Sequence, residues 1–535
     1  MELRTFRPII LSTLLFIVSA IAAAQTPTPA PLATPTPLAT PAPLATPTPA
    51  ATPLPMQTLG DLQMKFRQSL SKPELRRGMV GVKVVSLTSG KVVFEENAEK
   101  YFMPASNMKN FTVATAIEKL TPDFKFVTSI YAPASPDSEG LINGDLRIFG
   151  RGDVSMSDRF NGDGSKSLDA LADKIVSLGI KRITGDIVGD DSYFRGFPIP
   201  GGWEWDDLQW SYGAEVSGLP LNDSVIDISV KPGPQGYACT VKMTPYNPVI
   251  RVNNLCITSA AGIKRNLNVH KEIDRNILTV TGTMPLGDSG FSGTVSVSRP
   301  AELFAALLRQ KLIDKGVSVG GNYRYEKRND GSLPSGVEIG KFESASFASI
   351  AANTMKPSQN MYTETLLWTL GEQARNVSVT PGNGTQVSTA DSSELGIAAV
   401  KKFLTEIGVA PDGIVQYDGS GLSRHNLITP AAVVQLYSYM AKQSRFSQVW
   451  RDSLTIGGVD GTLRNRFRGT RAQANVRGKT GTIDQVSALS GYVKTAAGEE
   501  LVFSMVVNGV ASNPARVSLL DELVLHLANF TGKID

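Results

Sequence analysis

The sequence predicts an α/β protein in which helices pack on an antiparallel sheet and a long β-rich segment interrupts them. Three observations lead there. Residues 56–120 combine helix-spaced apolar positions with a hairpin pattern. Helical texture returns at Phe342 and ends in strands and a terminal helix. Between them, residues 121–340 run as short β-like segments broken by Gly, Pro, Asn and Asp. At 535 residues and 41% hydrophobic, the chain can bury several cores. Its net charge of +4 is small for that length, and no basic block is interleaved with aromatics, so the sequence gives no support to nucleic-acid binding.

Residues 1–24 place Arg4 and Arg7 before an apolar run from Ile9 to Ile21 and then Ala22-Ala23-Ala24, the order of a secretory signal peptide cleaved after Ala24. A retained anchor is the alternative, but the run is short for a membrane span. No cysteine follows it, which argues against a lipid anchor. Residues 25–55 are built from Thr, Pro, Ala and Leu, with PLATPTP and PLATPAP recurring; such a stretch cannot bury a core and reads as an extended spacer.

The folded part opens with a helical stretch, LGDLQMKFRQSL, followed by two β-rich runs within Met79–Glu95 that turn at Ser89-Gly90. Pro104 then introduces a helix whose apolar residues are Val113, Ile117 and Leu120. Ser106 and Lys109 stand one turn apart at its start, which sets an amine beside a hydroxyl. A serine is a poor nucleophile until a base takes its proton, and a desolvated lysine serves as that base. The helix N-terminus adds N–H groups for a developing oxyanion. A second Ser-x-x-Lys, Ser69 to Lys72, runs into Pro73 with no apolar helix behind it.

Within residues 121–340 two helical patches interrupt the β texture, Ser167–Leu178 and Ala301–Lys315, and the segment reads as two small domains. Two acidic, aromatic loops stand out, GDDSYF from Gly189 and GGWEWDDLQWSYG from Gly201. Each reads either as a structural turn or as a substrate-facing surface. Cys239 and Cys256 are the only cysteines; export permits a bridge between them, and both states stay open. His270, His425 and His526 fall in no metal-ligand spacing and no Ser-His-Asp pattern, so no metal or cofactor is expected and the base must be another residue.

One helix ends before Pro357 and another begins after it, which leaves Ser358, Gln359 and Asn360 at the junction. Ser358 reads as an N-cap or as a hydroxyl able to pass a proton, and Asn360 offers a donor and an acceptor. Glycine-rich turns follow at Tyr417–Asn426 and Gly457–Phe467. Asn475–Val493 and Glu500–Gly509 read as successive strands before a terminal helix. Lys479-Thr480-Gly481 lies in the first of these, where a cation, hydroxyls and a glycine on a strand edge suit a carboxylate ligand, with a charged anti-aggregation edge as the alternative.

Ser106-x-x-Lys109, Ser358-x-Asn360 and Lys479-Thr480-Gly481, in that order, resemble the motifs of the penicillin-recognising serine enzymes. The gap of 252 residues between Ser106 and Ser358, the DGSGLSRHN and VDGTLRNRF loops and the DDSYF and WEWDD elements make the chain most similar to the D-Ala-D-Ala carboxypeptidases/endopeptidases of low-molecular-mass class C, penicillin-binding protein 4 type, peptidase family S13. The resemblance covers residues 56–535. It implies a transpeptidase/β-lactamase-like sandwich formed by residues 56–120 and 341–535, with two β-rich domains inserted at 121–340. It implies that Ser106 attacks the carbonyl between two D-alanines of a peptidoglycan stem peptide, that Lys109 takes its proton and that Ser358 relays a proton to the leaving amine. Asn360 then holds the substrate amide, and Lys479, Thr480 and Thr482, with Gly481 between them, bind the terminal carboxylate. The oxyanion rests on the N–H groups of Ser106 and Thr482. Asp190, by matching of DDSYF, or its neighbour Asp191, shapes the pocket for the substrate's amino-bearing side chain. β-Lactams are the implied covalent inhibitors and the periplasm the implied setting. A β-lactamase and a non-catalytic wall-binding protein are the competing readings.

Overall fold

The two ends of the chain meet in one antiparallel sheet. The computed structural model describes residues 56–534 apart from 163, 329–331, 376 and 381–383, so the expected signal peptide and spacer lie outside the described residues. The sheet has six strands in the order Val92–Glu96, Met79–Ser86, Glu500–Asn508, Val486–Lys494, Arg477–Ile483 and Thr455–Ile456. The hairpin read at Ser89-Gly90 forms its outer pair. Asn475–Val493 is itself a hairpin, turned at Asp484-Gln485, with Gln485 in the left-handed region at φ 60°.

Both faces of this sheet are covered, which explains why its central strands read as nearly unbroken apolar runs. Along Glu500–Asn508, Leu501, Phe503, Met505 and Val507 enter one core while Val502 and Val506 enter the other. The first core also holds Leu62 and Phe66 of the Leu59–Leu70 helix and Leu519, Leu523 and Leu527 of the terminal helix Asn513–Ala528. Thr58 starts the Leu59–Leu70 helix with a capping box: its hydroxyl accepts from the Asp61 N–H at 3.1 Å, and the Asp61 carboxylate accepts from the Thr58 N–H at 2.8 Å. The opposite face carries the helices Lys109–Leu120, Phe347–Met355, Asn360–Ala374 and Pro430–Lys442. The functional motifs lie where this helical layer meets the Arg477–Ile483 strand.

The β-rich middle of the chain builds four further sheets. A five-stranded one runs Tyr323–Glu326, Ile187–Asp190, Leu146–Phe149, Val127–Ala132 and Val337–Glu343, so its last strand returns to pair with its first. It packs with the helices Gly164–Ser177 and Pro300–Asp314 around Ile148, Leu171, Ile187, Phe304 and Leu308. A small parallel sheet joins Ser318–Val319, Arg182–Ile183 and Leu141–Ile142. Two three-stranded sheets, one centred on Val225–Lys231 and one on Ile277–Pro285, enclose Ile226, Ile228, Leu278 and Val280. Cys239 and Cys256 are bridged within this last core.

Phe194, the last residue of the DDSYF element, fastens this middle segment to the helical layer. It is buried and meets Trp368 of the Asn360–Ala374 helix edge to face, with ring centroids 5.8 Å apart. Phe194→Ala is expected to lower the unfolding free energy by about 3–5 kcal/mol, the usual cost of emptying a large aromatic site, read as a lower urea midpoint at unchanged m-value.

Candidate active site

The site begins with a backbone distortion. Ala105 adopts φ 47°, residues Ala105–Met108 form a 3₁₀ turn, and the regular helix starts only at Lys109. That turn leaves Ser106 half-buried at the surface and drops Lys109 beneath it, fully buried. Lys109 Nζ lies 3.0 Å from Ser106 Oγ, 2.6 Å from Asn360 Oδ1 and 2.8 Å from the Ser420 carbonyl oxygen. Burial pushes Lys109 down to about 7, against the pull of Asp418 and Glu364 towards the charged form. A neutral amine has two N–H groups and one lone pair. Here two acceptors are fixed for the N–H groups, and the lone pair is left facing the Ser106 hydroxyl.

Asn360 is positioned by its helix. The expected alternative for Ser358, an N-cap, is corrected: Gln359 caps the Asn360–Ala374 helix, its side chain accepting from the Met361 N–H at 3.2 Å. Ser358 instead sits at φ 66°, a costly conformation for a non-glycine residue. Its hydroxyl is thereby free to face Lys479, whose Nζ donates to it at 2.8 Å. Lys479 is fully buried and held well below the ordinary lysine range, first by burial and then by Lys109. Thr480 Oγ1 donates to Thr462 Oγ1 at 2.7 Å, and Thr482 is exposed at the strand end. Gly481 lets strand and turn touch, because a Cβ there would lie 2.6 Å from the Pro104 carbonyl oxygen. Asn107 closes the joint by donating from Nδ2 to the Lys479 carbonyl at 3.1 Å.

The three sequence motifs are therefore brought together. Asp190 is not brought with them. It ends a buried strand, is fully enclosed, and its carboxylate accepts from Arg147 Nη1 at 2.7 Å and Arg328 Nη2 at 2.9 Å. Asp191 accepts from Ser217 Oγ at 3.0 Å and from the Gly218 N–H, and burial raises it to about 6. An acid of the WEWDD loop does lie beside the motifs. Asn360 Nδ2 donates to the Tyr212 carbonyl at 2.9 Å, and the Tyr212 side chain is hydrogen-bonded to Asp207. Asp207 is raised to about 6 by burial and then by Asp206 and Glu204. A cavity of about 260 Å³ opens between Ser358, Asn360 and Tyr212 on one side and Asp158 and Asp227 on the other.

Two further residues matter that were not among the expected site residues, although Asp418 lies in the DGSGLSRHN loop. Glu364 is buried one turn beyond Asn360 on the same helix face and accepts from the N–H groups of Gly419 at 2.9 Å and Ser420 at 2.7 Å. This fixes the carbonyl that receives Lys109. Burial and then Asp418 raise Glu364 to about 8. Asp418 organises the same loop from within, accepting from the Gly421 and Ser423 N–H groups, each at 2.7 Å. The spacing of Glu364 four residues after Asn360 was the one available signal.

The second Ser-x-x-Lys is structural. Ser69 is buried, donates to Glu522 Oε1 at 2.8 Å and lies 3.1 Å from His526 Nε2. Glu522 approaches that same ring nitrogen, at 3.8 Å, so serine and acid do not sit on opposite nitrogens as a proton relay requires. Among the described residues no cluster of His, Cys, Asp and Glu is arranged to hold a metal.

A profile of the D-Ala-D-Ala carboxypeptidase 3 (S13) family matches residues 62–530. The D-alanyl-D-alanine carboxypeptidase of Actinomadura sp. (strain R39) is 32% identical over 489 residues, covering 89% of this chain and 86% of that protein. The D-alanyl-D-alanine carboxypeptidase DacB of Haemophilus influenzae is 26% identical over 444 residues, covering 81% and 86%. Among solved structures, penicillin binding protein 4 (dacB) from Haemophilus influenzae superposes with a TM-score of 0.73 at 22% identity, covering 89% of this chain and 100% of that one. The shared fold includes the helix-covered sheet and the β-rich middle.

Lys109 offers a test that is independent of any role in turnover. Its folded-state value of about 7 lies below the ordinary 10.5, so between these the unfolded chain holds one more proton than the native one, and burial of this residue costs more as pH falls. The stability of Lys109→Met relative to wild type is expected to improve as pH is lowered from about 10.5 to about 7 and then level off, as read by paired urea titrations.

Proposed function

The chain belongs to the D-Ala-D-Ala carboxypeptidase 3 (S13) family of peptidases, and we propose that Ser106 is its nucleophile and Lys109 its general base in hydrolysis of D-Ala-D-Ala peptides of peptidoglycan. The observation that carries this reading is the set of contacts of Lys109 with Asn360 Oδ1, the Ser420 carbonyl and Ser106 Oγ, which aims the lone pair of a neutral amine at the serine hydroxyl.

Ser106 Oγ attacks the carbonyl between the two D-alanines as its proton passes to Lys109. The N–H groups of Ser106 and Thr482 receive the oxyanion. Lys479, with the hydroxyls of Thr480 and Thr482, takes the terminal carboxylate, and Gly481 allows the strand to run close to the nucleophile turn. Ser358, hydrogen-bonded to Lys479, relays a proton to the departing amine. Water then replaces that amine, and Lys109 activates it to release the acyl group. Asn360 supports the base as well as facing the cavity where the substrate amide lies.

The substrate's amino-bearing side chain is better served by Asp207 than by Asp190. Asp207 reaches the motifs through Tyr212 and Asn360, whereas the carboxylate of Asp190 is occupied by two arginines. No helix among the described residues is long and apolar enough to cross a membrane. That agrees with action in the periplasm, after removal of residues 1–24. A solved relative was crystallised as a complex with a β-lactam, and the same serine here is read as the point of β-lactam acylation.

Fluorescent penicillin is expected to label the wild type covalently and to leave Ser106→Ala unlabelled at unchanged melting temperature; labelled Ser106→Ala overturns the assignment. Because the base must be neutral, the labelling rate is expected to fall with slope one as pH drops through about 7. A rate flat from pH 5 to 9 argues against Lys109.

A further inference from the structure

Lys109 has two partners besides the nucleophile, and each is held from the far side by the same inserted loop. Asn360 takes one Lys109 N–H on its Oδ1 and donates from Nδ2 to the Tyr212 carbonyl at 2.9 Å. The Ser420 carbonyl, which takes the other, belongs to the loop organised by Asp418, and Asp418 Oδ2 accepts from Trp203 Nε1 at 2.9 Å. Asp418 is fully buried, and Asn426 Nδ2 also donates to it, at 2.7 Å. The Asp418 loop is pressed on the nucleophile turn: Gly421, at φ 86°, lies where a Cβ would be 1.8 Å from the Ala105 carbonyl oxygen. A shift of this loop therefore moves Ser420 and Ala105 together.

The segment between the two anchors, residues 203–212, carries Glu204, Asp206 and Asp207. Its outer side is fastened to the β-rich middle. Ser296 donates from its N–H to the Gln209 carbonyl at 3.0 Å and from its hydroxyl to the Leu208 carbonyl at 2.5 Å, and the Lys271 N–H donates to Gln209 Oε1 at 3.2 Å. The acids are thus mounted on a strap that is rigid behind and joined in front, at both ends, to the groups that orient the base.

We propose that residues 203–212 are a positioning strap for Lys109, with Trp203 as its lever, so that a cationic side chain captured by Asp206 and Asp207 raises the acylation rate as well as the affinity. This rests on the reading of Lys109 as general base. Trp203 touches no reacting atom and acts through Asp418 and Ser420. A loop that merely contacted substrate would alter KM alone. A strap that orients the base alters the rate of acyl-enzyme formation for every substrate, including one with no group to reach the acids.

The test is Trp203→Phe in the full chain, which keeps the aromatic bulk and removes the N–H. Three probes are used: fluorescent penicillin, a lysine-containing peptide ending in D-Ala-D-Ala, and the same peptide with the lysine side chain acetylated. At saturating penicillin the variant is expected to acylate about tenfold more slowly, the scale of one lost hydrogen bond to a charged group. With the peptides kcat is expected to fall at little-changed KM, and the kcat advantage of the free amine over the acetylated peptide is expected to shrink. Acylation at the wild-type rate, or an effect confined to KM, overturns the strap. If wild type is not labelled at Ser106, the reading of the site itself has failed, which is a different outcome. Should Trp203→Phe not fold, Ser296→Ala loosens the strap from behind without touching either anchor. This substitution removes only the hydroxyl bond to the Leu208 carbonyl and so loosens the strap in part; it is expected to lower the penicillin acylation rate about threefold, and an unchanged rate there overturns the proposal equally.

Discussion

The rest of the site depends on keeping the amine of Lys109 in a fully enclosed place. An ammonium there pays a desolvation cost that its neighbours only partly offset, so the folded chain favours the neutral form. A neutral amine still needs partners for two N–H groups, or the burial becomes a loss of hydrogen bonds. Asn360 and the Ser420 carbonyl are those partners, and each demands a support of its own. Asn360 is held by the start of its helix. The Ser420 carbonyl is held because Glu364 takes the two N–H groups of the same loop. Burial first, and then repulsion by the neighbouring Asp418, raise Glu364 to about 8, so it keeps a proton. A protonated Glu364 draws Lys109 towards its charged form less than an ionised one, so the carboxyl that builds the cradle also helps keep its occupant neutral.

The fold supplies this cradle from segments far apart in the chain. The nucleophile turn follows a hairpin that forms one edge of the six-stranded sheet, and the Lys479 strand lies three strands away in that sheet. The Ala105–Met108 turn packs directly on that strand, and closeness there is a matter of small residues. Gly481 admits the strand to the Pro104 and Asn107 backbone, and Gly421 admits the Asp418 loop to Ala105. Backbone meeting backbone fixes the spacing between Ser106 and both lysines more firmly than side-chain packing does, because no rotamer can relax it.

Much of this was legible before any coordinates. The apolar spacing of Val113, Ile117 and Leu120 located the nucleophile helix, and the hairpin at Ser89-Gly90 and the terminal helix were plain from period and turn residues. The three motifs were recognisable because each combines residue types that its chemistry requires within one turn or one strand. What stayed hidden was set by contacts across the chain. Taken alone, Ser358 reads better as a cap, since nothing local shows that Gln359 takes that place and leaves Ser358 at positive φ. Asp190 and Asp207 are both acids in aromatic loops. Only the third dimension shows that arginines 43 positions before and 138 positions after Asp190 consume its carboxylate. Glu364 looked like any acid in a helix, because its role depends on a loop more than fifty residues later.

On the roles proposed above, the two lysines also suit the site to an anion. Lys479 is buried and close to Lys109, and burial first and then this neighbour hold its pKa well below the ordinary lysine range. On the roles proposed above, a carboxylate at Thr480 and Thr482 would place a counter-charge beside Lys479 and favour its ammonium form. That ammonium in turn disfavours a second positive charge at Lys109, because like charges in an enclosed site compete for ionisation. Binding of the terminal carboxylate therefore pushes the base towards the form that can accept the proton of Ser106. A peptide without a free terminal carboxylate leaves the pair as it was. On that reading, preference for a chain end would follow from electrostatics at the lysine pair, in addition to the fit of a carboxylate to two hydroxyls.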